Sequence, residues 1–196
     1  MPNNPQLELK NIYKAYTAPV LKDFSFVFQR GITFITGASG VGKTTLVNII
    51  AGLEKPDSGE VVFSGGKKIS MVFQEDRLLE WKSALDNLLF VGCSRARAGE
   101  LLARAGLGLG DYLHKKTAEL SGGMKRRVCI CRALSVEYDV LILDEPFKGL
   151  DNKLKPQIME MVREVAETYR KIIICITHDP KEAEFFGGKS VLIPPS

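Results

Sequence analysis

Long apolar runs are scarce in this chain: the most extended, such as Ile172 to Ile176, reach only a handful of residues. A bilayer span needs about 20, so no segment is expected to cross a membrane and any membrane role should be peripheral. The opening MPNNPQLELK has neither a basic start nor an apolar stretch, so no secretory leader is read there and the chain is expected in the cytosol. Cysteine is sparse too. Cys93, Cys129, Cys131 and Cys175 lie in or beside apolar segments with no CxxC pair, which excludes a zinc ribbon or a disulfide frame and predicts reduced core thiols. Neither sign of charge dominates. The 27 Lys plus Arg against 23 Asp plus Glu leave +4, which favours anionic ligands slightly but falls short of a dedicated nucleic-acid binder.

What is present describes a folded chain. Apolar residues make up 45% and charged residues 26%, enough side-chain volume for a core and too little charge bias for disorder. The 196 residues, at roughly 150 per domain, predict one domain over 1–196. Leu7 and Leu9 alternate with Glu8 and Lys10, and Phe24, Phe26 and Phe28 alternate with Ser25 and Val27, the period of half-buried strands. The run ITFIT reads as a strand feeding a glycine-rich loop and then a helix closed by Gly52. Strands are expected at Val61 to Phe63 and Ile69 to Phe73. A small helical subdomain is expected over about residues 87 to 135, including a helix after Ser121 with Met124, Val128 and Cys131 on one face. The continuous apolar runs Val140 to Leu143, Ile172 to Ile176 and Val191 to Ile193 predict strands buried on both faces of a mainly parallel sheet. A helix from about Lys153 to Tyr169 separates the first two. The fold class is therefore α/β, a phosphate-loop core with an antiparallel N-terminal part. Arg95, Arg97 and Arg104 read as a solvated helix face, and His114, one of only two histidines, as surface.

Two segments carry chemistry. GASGVGKT, comprising Gly37, Ala38, Ser39, Gly40, Val41, Gly42, Lys43 and Thr44, fits the phosphate-loop pattern between a strand and a helix. Its glycines let backbone N–H groups curve around phosphate oxygens, and the helix start adds about half a positive charge. Lys43 can reach β/γ-phosphates and Thr44 can offer a hydroxyl to Mg²⁺. VLILDE, Val140 to Glu145, sets two acids after a buried strand, where a ligand crevice opens. Asp144 suits a hard cation as an oxygen ligand, and Glu145 is placed to take a proton from, or orient, a water attacking a γ-phosphate.

Taken in order, Tyr16, GASGVGKT, Gln74, LSGGM, LILDEP, Asp151 and His178 resemble the ATP-binding-cassette (ABC) family over nearly the whole chain. LSGG is the discriminating motif. The resemblance implies ATP and Mg²⁺ as ligands and ATP hydrolysis coupled to transport as the reaction. By the same resemblance Tyr16 stacks on adenine, Thr45 joins the nucleotide-binding set, and Gln74 touches Mg²⁺ and the attacking water. His178 contacts the γ-phosphate and steadies Glu145. Ser121, Gly122 and Gly123 then bind the γ-phosphate of a nucleotide held by a second copy, with Asp151 beside them. The implied partners are a second ATPase subunit, separate transmembrane permease subunits and a solute-binding protein, at the cytoplasmic face of the membrane.

Departures from the family pattern are Met124 after LSGG and Lys148-Gly149 before Leu150-Asp151. The segment Phe73 to Asn87 looks like importers of the nitrate, sulfonate and taurine class. The chain stops 18 residues past His178, so no C-terminal regulatory domain is expected. Rival readings are a soluble ABC ATPase of DNA repair or translation, a phosphate-loop kinase, and a non-hydrolysing ATP-binding regulator.

Overall fold

The structure, a computed structural model, describes residues 6–108, 110–169 and 171–194. Residues 1–5 of the stretch read for a leader lie outside them. The chain divides into two compact units. The first takes the segment through Met71, Tyr138–Asp144 and the segment from Tyr169; the second takes Val72–Glu137 and Glu145–Thr168.

In the first unit, β1 (Leu7–Ala15) pairs antiparallel with β2 (Pro19–Phe28) and β4 (Ser58–Phe63), in the order β2-β1-β4. The predicted alternation holds at its start: Leu7, Leu9, Phe24 and Phe28 are buried, whereas Val27 is exposed. It then slips. The register shifts between Leu9 and Ile12, where Asn11 and Asp23 both take left-handed backbone, with φ of 51° and 52°. Asn11 Nδ2 donates to Asp23 Oδ1 at 2.6 Å. Asn and Asp tolerate that conformation better than other residues with side chains, and the bulge returns Ile12 to the core.

The second sheet runs β5-β6-β7-β3-β8, from β3 (Gly31–Thr36), β5 (Ile69–Val72), β6 (Val140–Asp144), β7 (Ile172–Ile176) and β8 (Lys189–Leu192). β6 pairs parallel with β7, and β3 parallel with both β7 and β8. β6 and β7 are buried at every position, as their unbroken apolar runs predict. The third such run departs from expectation: among the described residues β8 has only β3 beside it, and it leaves Leu192 63% exposed. Three apolar residues are too few to tell an edge strand from a central one. Helix α1 (Lys43–Ile50) buries Leu46, Val47, Ile49 and Ile50 in one core cluster with Leu7, Leu9 and Ile12 of the antiparallel sheet and Val140, Ile142, Ile174 and Ile176 of the parallel one. At about 1.5–3 kcal/mol for each large side chain buried, that cluster fixes the start of α1 relative to the ends of β3 and β6. A sixth helix, α6 (Pro180–Phe186), follows β7.

The second unit packs α2 (Ala84–Phe90), α3 (Arg95–Arg104) and α4 (Gly122–Leu134) against one another, with α5 (Lys155–Tyr169) following in the chain. Serine caps three of these helices. Ser83, Ser94 and Ser121 accept from the amides of Asp86 at 3.0 Å, Arg97 at 3.3 Å and Met124 at 3.3 Å, each filling one of the donors left over at a helix start. Arg97 pairs with Glu100, and Arg104 with Glu164 of α5, while His114 is exposed as expected. On α4 Val128 and Cys131 are buried as predicted, but Arg126 and Arg127 are buried too.

Candidate functional site

The phosphate loop joins β3 to α1. Gly37 has φ of 144°, and a side chain there would sit 2.9 Å from Val41 Cγ1 and 3.1 Å from the carbonyl of Ile193. Gly42, the N-cap of α1, has φ of 104°, and a side chain would meet the carbonyl of Val20 at 2.9 Å. Both positions therefore require glycine on two counts, backbone angle and space. No side chain caps α1 and its first turn holds no acid, so its N–H groups and dipole are left to an anion. Lys43 is 7% exposed, with its ammonium turned back across the loop to donate to the carbonyls of Gly37 at 2.9 Å and Ala38 at 2.7 Å. A buried ammonium needs such partners, and they hold the charge inside the loop.

Across 100 residues of sequence, the hydroxyl of Thr44 donates to Asp144 Oδ2 at 3.2 Å. Asp144 ends β6 and is 2% exposed. A hydroxyl and one carboxylate, both hard oxygen donors, match the little that a protein supplies to Mg²⁺, which keeps waters and phosphate oxygens as its other ligands. The residues present thus fit that ion. Tyr16 lies 60% exposed rather than in the core; its phenol donates to Glu54 Oε1 at 2.5 Å. The Glu54 carboxylate is the main reason that its pKa is raised, and a weaker hydrogen bond with Thr45 works the other way. The exposed ring is thereby tied to Glu54, just past the end of α1.

His178 is exposed on the turn after β7. That turn is held from below: the hydroxyl of Thr177 donates to the carboxylate of Glu182, the amide of Asp179 donates to Thr177 Oγ1 at 3.1 Å, and Asp179 caps α6 through the amide of Lys181 at 3.0 Å. Glu182 is 4% exposed. Nothing in the sequence marks it beyond its place four residues after an exposed histidine.

The remaining candidates lie in the second unit. Glu145 takes left-handed backbone, φ 46°, a conformation that a residue with a side chain holds only under constraint. Its Oε2 lies 3.0 Å from Lys148 Nζ, so the departure Lys148 puts a cation on the candidate base. Asp151 Oδ1 accepts from the amide of Lys153 at 2.7 Å. Ser121 and Gly122 are exposed at the start of α4, where Ser121 spends its hydroxyl oxygen on the helix cap.

Gln74 is exposed and opens a loop whose carbonyls are heavily used. From α4, Arg126 Nη1 donates to the carbonyl of Phe73 at 2.5 Å and lies 3.3 Å from Asp76 Oδ1; its Nη2 donates to the carbonyls of Gln74 at 3.1 Å and Glu145 at 2.8 Å. Further along, Asn87, 1% exposed, accepts from the amide of Leu79 at 2.9 Å and donates to the carbonyls of Leu79 at 3.2 Å and Ser83 at 2.9 Å. Neither residue stands out in the sequence, because a polar side chain on a helix reads as solvated until the loop that it supports is known.

Known proteins are similar to this chain over most of its length. The sequence profile of the family described as ABC transporter matches residues 21–148. The taurine import ATP-binding protein of Pseudomonas entomophila (strain L48) is 37% identical over an alignment covering 97% of this chain and 80% of its own length. The nitrate import ATP-binding protein of Synechococcus elongatus (strain ATCC 33912 / PCC 7942 / FACHB-805) is 38% identical over 88% of this chain and 69% of its own. Among solved structures, the dimeric post-hydrolysis state of the ATP-binding cassette MJ0796, bound to ADP and Pi, superposes with a TM-score of 0.82 at 30% identity, covering 95% of this chain and 93% of that one.

Proposed function

Because the chain belongs to the ABC transporter family and is an ATP-binding, ATP-hydrolysing subunit within it, we propose that it powers solute import through separate permease subunits. It would work as a two-fold dimer on the cytoplasmic face of the membrane and be served by a solute-binding protein. The observation that carries this reading is the Thr44–Asp144 hydrogen bond, which brings the phosphate loop and the acidic strand end to one place. Among the described residues no helix is long and apolar enough to cross a membrane, in keeping with a subunit that borrows its membrane path from partners. The relatives' names, taurine and nitrate import, support the importer reading.

Within this reading, the loop from Gly37 to Thr44 cradles the phosphates of ATP, with Lys43 exchanging its loop carbonyls for phosphate oxygens. Tyr16 offers its exposed ring to adenine, with Thr45 beside it. Thr44 and Asp144 would hold Mg²⁺, which neutralises charge developing on the phosphates. Glu145 takes up the proton of the attacking water, Gln74 orients that water, and His178 contacts the γ-phosphate and steadies Glu145. Ser121, Gly122 and Gly123 face the γ-phosphate held by the second copy, and Asp151 follows them at the same junction. Each nucleotide then touches both copies and favours the closed pair, and hydrolysis removes that bias.

Glu145→Gln tests the assignment of the base. The variant keeps size and hydrogen-bonding capacity, so it should still bind ATP, accumulate as a dimer in its presence, and hydrolyse it about 10² or more times slower. Turnover near the wild-type rate would remove Glu145 from the mechanism.

A further inference from the structure

Arg126 belongs to no phosphate-binding motif, yet its guanidinium touches the two segments that carry the proposed water-handling residues. One nitrogen reaches the carbonyl of Phe73 and the carboxylate of Asp76; the other reaches the carbonyls of Gln74 and Glu145. The side chain is 5% exposed, and a planar fork of fixed donors aimed at several carbonyls tolerates little relative motion among them. Glu145 is the residue whose backbone needs such a hold, since its φ of 46° is sparsely populated for a side-chain-bearing residue. A hydrogen bond to its carbonyl from a buried cation is a constraint that can keep it there.

We propose that Arg126 is a positioning residue for hydrolysis, locking the backbone of Gln74 and the backbone of Glu145 into one fixed arrangement so that the two side chains meet the attacking water together. The inference rests on the roles proposed for Gln74 and Glu145, but adds a residue that contacts neither nucleotide nor water. Its place on α4 gives it reach: Ser121 caps the same helix five residues earlier. A shift of α4 when Ser121 engages the second copy's nucleotide would therefore be felt at Gln74 and Glu145 through one rigid side chain. Lysine cannot replace this fork, because a single ammonium cannot span carbonyls on both segments in plane.

The test compares Arg126→Lys with the wild type, measuring melting temperature, affinity for ATP in the absence of turnover, kcat and KM. Positioning predicts kcat about 10-fold or more lower, with ATP affinity and KM within about twofold. It also predicts that adding Gln74→Ala to Arg126→Lys costs much less than the product of the two single losses, because both act on the same water. Wild-type kcat in a folded Arg126→Lys chain overturns the proposal, as do a loss of affinity in step with rate and fully multiplicative losses. If Arg126→Lys does not fold, Asp76→Asn decides, since it loosens the guanidinium at its more exposed contact. The expected result is kcat two- to fivefold lower at unchanged ATP affinity, and an unchanged kcat overturns the proposal. Failure of the proposed function itself looks different: Glu145→Gln would then retain turnover whatever happens at Arg126.

Discussion

Cys129 and Cys131 sit on α4 with thiols pushed up to about 12, first by burial, and burial raises Cys175 on β7 well above its ordinary value. A thiol whose folded pKa exceeds its unfolded one favours the folded chain below the unfolded pKa of about 9 and loses that contribution as pH rises toward the folded value. Stability should therefore fall above pH 9, by up to ~1.4 kcal/mol per pH unit for each such thiol. Denaturant melts of the wild type and Cys131→Ala at pH 8, 9 and 10 should show a shallower alkaline slope in the variant; equal slopes would contradict the assignment. At this scale the sequence predicted buried, reduced cysteines from their apolar neighbours, and all four are buried and free. It also singled out Lys43, Thr44 and Asp144, whose side chains lie at the phosphate loop and the end of β6, because glycine spacing and an acid after an apolar run are local signals. It did not expose Arg126, Glu182 or the Lys148–Glu145 ion pair. Each depends on segments brought together by folding, or on a backbone angle such as φ 46° that residue identity does not announce.

Among the elements, the loop from Gln74 to Ser83 shows how support comes from a distance. Leu79 is bonded at both its amide and its carbonyl by Asn87 of α2, and the hydroxyl of Thr117 donates to that same carbonyl at 3.0 Å. The α2 cap strengthens the arrangement, with the Ser83 hydroxyl holding the Asp86 carboxyl below its ordinary pKa. Asn87→Ala leaves those loop groups short of partners and should cost about 2 kcal/mol of stability, read as a lower denaturation midpoint at unchanged slope. A loss under about 0.5 kcal/mol would mean that water replaces the amide without penalty. Strands and helices with clear periods were readable along the chain. β8 was read as a strand but not as an edge strand, since three apolar residues carry no edge signal, and the bulge in β1 was not read, since alternation says nothing of where the register slips. The two buried arginines of α4 also escaped the periodic reading. Arg127 donates to the carbonyl of Ala105 at 2.5 Å, and burial pulls its pKa down; long cationic side chains bury wherever carbonyls receive their heads.

For the whole molecule, the proposed function has two copies of the chain sharing two ATP sites, each built from one copy's phosphate loop and the other's Ser121. The start of α4 carries an exposed serine whose own hydroxyl caps the helix and two glycines after it, and a nucleotide held by the second copy gives that glycine-rich helix start an anion to receive. Sharing also accords with the dimeric cassette that this chain resembles. A two-fold pair places both defects of a mixed dimer predictably. Lys43→Ala disables the loop of its own copy, and Ser121→Arg blocks the site facing it. In a mixed dimer both defects therefore fall on one nucleotide and the other site is intact. The decisive measurement is the ATPase rate of Lys43→Ala chains combined with Ser121→Arg chains, under conditions where mixed dimers are shown to form. Each variant alone should be inactive and the mixture should regain a substantial fraction of wild-type turnover, whereas a mixture that stays inactive, or a Ser121→Arg chain that alone hydrolyses ATP at the wild-type rate, would contradict the shared sites.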